Sequence, residues 1–197
     1  MVYDRTCRKY GVGLSTAWSS GSLLYRRLDR IDASFGATSW DEALRWLAEH
    51  QSDRPIDEIQ YWGHGKWGVV YVGKDPLGRK ELTQKHAKHI AAIRERLTPD
   101  ALVWLRTCET FGAKRGQDFA QCLAEELATR VAGHTFIIGV FQSGLHGLRP
   151  GSTPDWSDIE GLAEGTASEP KRAHESLPTY PRTISCFHGS VPDDWFV

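Results

Sequence analysis

Neither sign of charge dominates this sequence, which sets 24 Lys and Arg against 25 Asp and Glu in 197 residues. Without a global field, nothing steers the chain toward nucleic acid or an anionic membrane surface, and phosphate-rich partners are disfavoured. Eight tryptophans are present, but they are interleaved with acids as well as bases, which argues against a stacking platform for nucleic acid. No apolar stretch approaches the roughly 18 residues of a membrane-spanning helix, and "MVYDRTCRKYGVGL" lacks a signal-peptide core. These absences predict a cytoplasmic chain with no membrane partner. Cysteine is scarce as well: Cys7, Cys108, Cys122 and Cys186 are far apart and form no CxxC pair, which excludes a disulfide framework and a cysteine zinc site. No internal repeat or low-complexity tract is found.

At 22.1 kDa and 40% hydrophobic residues, the chain is expected to form one domain over residues 1–197 with a single core. A weak strand is expected over residues 10–14, followed by a short helix in "AWSSGSLLYRRL" that ends near Leu28. "SWDEALRWLAEH" carries a capping box at Ser39 and Glu42, with Trp40, Leu44 and Leu47 on one helical face. "IDEIQYWG" reads as a buried strand, "WGVVYVGKDPLG" as a hairpin beside it, and residues 79–97 as a long amphipathic helix. "ALVWLRTC" is a second buried strand, and "GQDFAQCLAEELATRVAG" a helix extending through Val131 to a stop at Gly133. "HTFIIGVFQ" is expected as a third strand. Apolar strands alternating with amphipathic helices predict an α/β fold, a mostly parallel sheet covered on both faces. Residues 143–181, rich in Gly, Pro, Ser and acids, are expected as a long loop over the site, with "RTISCFH" and "DDWFV" returning to the sheet.

In parallel sheets, sites form beyond the carboxyl ends of the strands, and two chemistry-bearing residues fall there. His64 follows "QYWG", Cys108 follows "LVWLRT", and 44 positions separate them. A thiol attacks a carbonyl as thiolate, so a nucleophilic cysteine needs a histidine to manage its proton and that of the leaving group. If the two strands are neighbours, their ends bring imidazole and thiol together. Gly65, without a side chain, lets a substrate carbonyl approach, and its N–H and that of Cys108 form an oxyanion hole. The plainer alternative is a tight turn with an exposed histidine and a buried, inert Cys108.

A histidine-glycine pair after one hydrophobic strand and a cysteine after the next, with the histidine some 50 residues upstream, resembles the caspase-like cysteine peptidases. "LRTCETFG" is most similar to the corresponding segment of CHAT domains. The resemblance covers residues 39–142 and is specific at His64, Gly65, Cys108, Glu109 and Thr110. It implies a caspase-like three-layer sandwich and a cysteine endopeptidase acting on a polypeptide substrate. Cys108 would be the nucleophile and His64 the general acid/base, with no cofactor, and a regulatory protein outside this chain is a possible partner. The rival is a caspase-like module that binds or signals without turnover.

Arg106 stands where the family usually has a small residue, and strand alternation puts it on the side of Cys108. A guanidinium there is expected to bind a substrate carboxylate, unless Asp155, Asp158 or Glu160 ties it up. His86 and His89 lie three apart on one helix, but no carboxylate pattern beside them completes a zincin motif, so no metal is expected. "AWSSG" with the "HG" dipeptide runs in the wrong order for a serine hydrolase elbow. His134, His146, His174 and His188 read as ordinary loop histidines.

Overall fold

The computed structural model describes residues 1–7 and 13–197. The strand expected over residues 10–14 lies outside the described residues except for its last two, Gly13 and Leu14, which open a helix. In chain order the elements begin with β1 (Val2–Asp4), α1 (Leu14–Arg27), β2 (Phe35–Ala37), α2 (Trp40–Glu49) and β3 (Ile56–Trp62). A small meander follows, β4 (His64–Lys66), β5 (Val69–Val72) and β6 (Asp75–Leu77), then a wide π-helical turn at Glu81–Lys85 and α3 (Ala87–Arg94). After these come β7 (Leu97–Arg106), α4 (Ala113–Leu127), β8 (Arg130–His134), β9 (Phe141–Gln142) and β10 (Leu145–Leu148). The chain closes with β11 (Leu162–Gly165), β12 (Pro170–Ala173) and β13 (Ile184–Ser185).

Six strands form the central sheet in the order β10-β8-β7-β3-β1-β2, all parallel except the edge strand β10. Alternation along β7 sorts its side chains to two faces. Val103 and Leu105, with Ile59 and Tyr61 of β3, pack under α2, α3 and α4 through Trp40, Leu44, Ile90, Ile93, Phe119 and Leu123. Leu102 and Trp104 face the other way, toward Leu145, Ile184 and Val191. On that side Tyr25 of α1 meets Trp62 edge-on at 5.2 Å. Helices thus cover both faces, three on one and α1 on the other. Among the described residues, no helix is long and apolar enough to cross a membrane.

The start of α2 forms half of the expected capping box. Ser39 Oγ accepts from the Glu42 N–H at 3.2 Å, while the Glu42 carboxylate reaches the amide and hydroxyl of Thr38, each at 2.7 Å. The long helix expected over residues 79–97 is instead the π-helical turn and a short α3 separated at His86, and Leu97 already belongs to β7. Two further boundaries differ from expectation. The helix after Cys108 stops at Leu127, where Ala128 turns left-handed (φ 49°), and "RVAGH" is a strand buried between its neighbours. Strands buried on both faces carry an uninterrupted apolar run, which periodicity cannot separate from a helix end. The third strand is therefore Arg130–His134, and of "HTFIIGVFQ" only His134 and Phe141–Gln142 are extended, the latter pairing with Ile184–Ser185.

Nor is the segment over residues 143–181 one long loop. It holds β10, buried throughout, and the β11–β12 hairpin. The aromatic tail does return to the sheet: Val197 N–H donates to Gly147 at 3.2 Å and Arg149 N–H to Val197 at 2.7 Å, covering the β10 edge.

Candidate active site

Strand register decides what meets at the carboxyl edge. Tyr61 lies opposite Leu105 and Trp62 opposite Arg106, so β3 and β7 end level and the chain leaves the sheet from both at one place. His64 and Gly65 begin β4, and Thr107 and Cys108 begin a turn into α4. The two exits are fastened together. A Cβ on Gly65 would sit 2.8 Å from both Cβ and Oγ1 of Thr107 and closer still to Thr110 Oγ1, so only glycine lets this backbone lie against the two threonine side chains. At the tip of the β4–β5 hairpin, Trp67 (φ 34°) and Gly68 (φ 83°) both take positive φ, the twist a two-residue hairpin turn requires. Their amides donate to the carbonyls of Glu109 at 3.1 Å and Thr110 at 2.8 Å.

The Cys108 turn is held from behind as well. Glu109 N–H donates to the Phe136 carbonyl at 2.8 Å and Phe111 N–H to that of His134 at 2.9 Å, while Thr107 and Thr110 share a hydroxyl contact of 2.6 Å. The chain after β8 is thus spent on supporting this turn. The Cys108 N–H takes part in none of these bonds. Its sulfur, partly buried, lies 3.9 Å from the Ile138 carbonyl. Burial pushes the thiol up to about 11, and the neighbouring Glu109 carboxylate adds to the rise. Cys108 therefore rests as a neutral thiol.

His64 is exposed, and its ring has a different sulfur beside it. Nε2 lies 3.3 Å from Cys7 Sγ, and the ring meets Trp18 of α1 edge-on at 5.6 Å. Cys7 follows β1, the neighbour of β3 on the side away from β7, so the histidine stands between two cysteine-bearing strand ends. In the sequence Cys7 is marked only by its place three residues after the strand Val2–Asp4. Nor does any local pattern mark the side-chain environment of Glu109. That residue is 7% exposed, has φ 30°, and leaves Oε2 without a hydrogen-bond partner. Burial raises its carboxyl to about 7, against the opposing pull of Lys66.

Arg106 does not line a cleft. It is 4% exposed, and all five N–H donors are filled: Gln142 Oε1 takes two, and the Tyr25 hydroxyl and the carbonyls of Cys186 and His188 take one each, at 2.8–3.3 Å. Its guanidinium carbon lies 4.3 Å from the Trp104 ring centre and 4.9 Å from that of Trp62. Strand alternation aims it at the α1 face, and the turn after β7 takes Cys108 off that line. No donor remains for a substrate carboxylate, and the acids expected to compete for it are not its partners.

Two of the histidines read as loop residues are buried in strands instead. His134 donates from Nδ1 to the Ser143 carbonyl at 3.1 Å, and burial depresses it to about 3, so it stays neutral. His146 sits between Arg182, 2.7 Å from Nδ1, and Glu160, 3.0 Å from Nε2. An arginine can only donate, so Nδ1 accepts and Nε2 carries the proton toward the carboxylate. This network joins β10 to two segments that follow it in the chain. A hollow lined by Met1, Trp46, Arg54 and Arg96 opens at the amino end of the strands, away from all of these residues.

Residues 35–147 match a family model described as Domain of unknown function (DUF4347). That span runs from the start of β2 into β10 and includes His64, Gly65 and Cys108. No curated protein and no solved structure matches the chain.

Proposed function

We propose that this chain, which belongs to the DUF4347 family, is a caspase-like cysteine endopeptidase with Cys108 as nucleophile and His64 as general acid/base. One observation carries the reading: the hairpin that starts with His64 and the turn that starts with Cys108 leave adjacent strands and are fastened at Gly65 and again at Trp67 and Gly68. A three-layer sandwich with a mainly parallel sheet supports the same assignment.

In this reading the imidazole takes the Cys108 thiol proton as sulfur bonds to the carbonyl carbon of a polypeptide substrate. The electron pair moves to the carbonyl oxygen, which faces the N–H groups of Gly65 and Cys108. Collapse breaks the C–N bond, the imidazolium returns its proton to the departing amine, and water then hydrolyses the thioester. The neutral thiol and the Cys7 contact define a resting state. Turnover requires the His64 ring to leave Cys7 and the thiol to be deprotonated in the presence of substrate. A regulatory protein binding beside α1 is one means of moving the ring. Specificity comes from elsewhere than Arg106, whose donors are spent.

The raised thiol favours a second reading, a binding or signalling module with the same architecture and no turnover. Incubation with a proteome-derived peptide library separates the two. New termini that appear with the wild type and vanish with Cys108→Ala and His64→Ala support the peptidase; none above background supports the module. Cleavage that survives Cys108→Ala but is lost in Cys7→Ala moves the nucleophile to Cys7.

A further inference from the structure

The helical layer contains a second cluster, unconnected with the chemistry proposed for Cys108. Asp41 lies in the first turn of α2, His86 closes the π-helical turn, and His89 follows within α3. One carboxylate oxygen of Asp41 and one ring nitrogen from each histidine all lie within 4.8 Å of one another. The sequence shows the histidine pair but not the carboxylate, because Asp41 arrives from a helix 45 residues earlier than His86.

His86 marks the cluster as more than a surface coincidence. It is 3% exposed, and its Nε2 is buried without a hydrogen-bond partner. An idle buried polar nitrogen carries a desolvation cost that a ligand would relieve. The charged groups around it are accounted for. Lys85 is paired with Asp75 at 2.9 Å, and Asp75 also accepts from the Trp40 amide at 2.8 Å. Asp41 pairs with Arg45 at 2.5 Å, but both side chains are more than half exposed, so that pair is a weak competitor.

We propose that Asp41, His86 and His89 bind a zinc-class divalent cation that joins α2 to α3. Two imidazoles and a carboxylate are a common donor set for zinc, with a fourth position left for water. Ligand atoms about 2.1 Å from a tetrahedral ion are about 3.4 Å apart. The present spacing closes to that value by rotating Asp41, which is exposed, and His89, which is half-buried, around an anchored His86. Bound, the ion ties the first turn of α2 to the helical segment that follows Asp75.

The test uses the full chain, stripped with chelator, and zinc chloride as the probe. Calorimetry and elemental analysis are expected to find one zinc per chain at micromolar or tighter affinity, with the melting midpoint raised by about 5 °C at a hundredfold excess over Kd. His89→Ala and Asp41→Asn, at positions that do not endanger folding, should each weaken binding at least tenfold and remove the midpoint shift. Cys7→Ser should leave both unchanged. No binding at about 100 μM zinc, or binding unaffected by His89→Ala and Asp41→Asn, overturns the proposal.

Discussion

The two faces of the central sheet are held by different physics. Under α2, α3 and α4 the contacts are hydrocarbon: Val103, Leu105, Phe119 and Leu123 bury side chains that need no partner. Under α1 and the C-terminal segment, β7 presents Trp104 and Arg106, and the guanidinium organises a polar knot of Tyr25, Gln142 and two carbonyls. A hydrophobic face tolerates imprecise geometry because dispersion and water exclusion are not directional. A buried charge does not, since each unmet partner costs its full desolvation. The apolar side supplies stability, while the polar side fixes how α1, with Trp18 against His64, lies over the strand ends.

Substitutions on each face test that contrast. Phe119→Ala should cost about 4 kcal/mol in chemical denaturation, the usual penalty for a large cavity in a closed core. Arg106→Ala should cost about 3 kcal/mol by leaving buried acceptors unmet, and Arg106→Lys should recover little of it because an ammonium cannot replace a planar five-donor fork. If Arg106→Ala is neutral, the polar face is not what orders α1.

Glu109 sharpens the comparison at the point where the site meets the core. Its carboxyl, raised to about 7 from an ordinary value of 4.5, binds a proton more tightly folded than unfolded. Its contribution is therefore present below pH 4.5 and is lost as pH rises through 7, by at most about 3 kcal/mol. Urea midpoints should fall from pH 5 to pH 8 in the wild type and fall less in Glu109→Gln; parallel curves would mean that the carboxyl is not held in this environment. The smallest effect expected is at the α2 cap, where Ser39→Ala should cost about 1 kcal/mol with no effect on any chemistry at the strand ends.

The same contrast explains what the sequence made legible. Ile59, Tyr61, Val103 and Leu105 announce buried strands, and their glycine and cysteine exits can be read without coordinates. So could α2 and its Ser39 cap. The end of α4 was not legible, because "RVAGH" is apolar on both faces and continues the helical pattern of Leu123 and Leu127. Arg106 was misplaced for a related reason: alternation gives its face correctly, but not that α1, Gln142 and the segment around His188 close over it. Cys7 beside His64 and Asp41 beside His86 are long-range neighbours, and no local pattern encodes them.

The proposed peptidase activity requires Cys108, partly buried and neutral at rest, to be the sulfur that forms the covalent intermediate. Labelling with an electrophilic peptide probe, followed by peptide mapping by mass spectrometry, tests it most directly. An adduct on Cys108 that is lost in His64→Ala is expected, while small alkylating reagents reach Cys7 sooner than the raised Cys108 thiol. An adduct confined to Cys7, formed equally well when Cys108 is alanine, would contradict it.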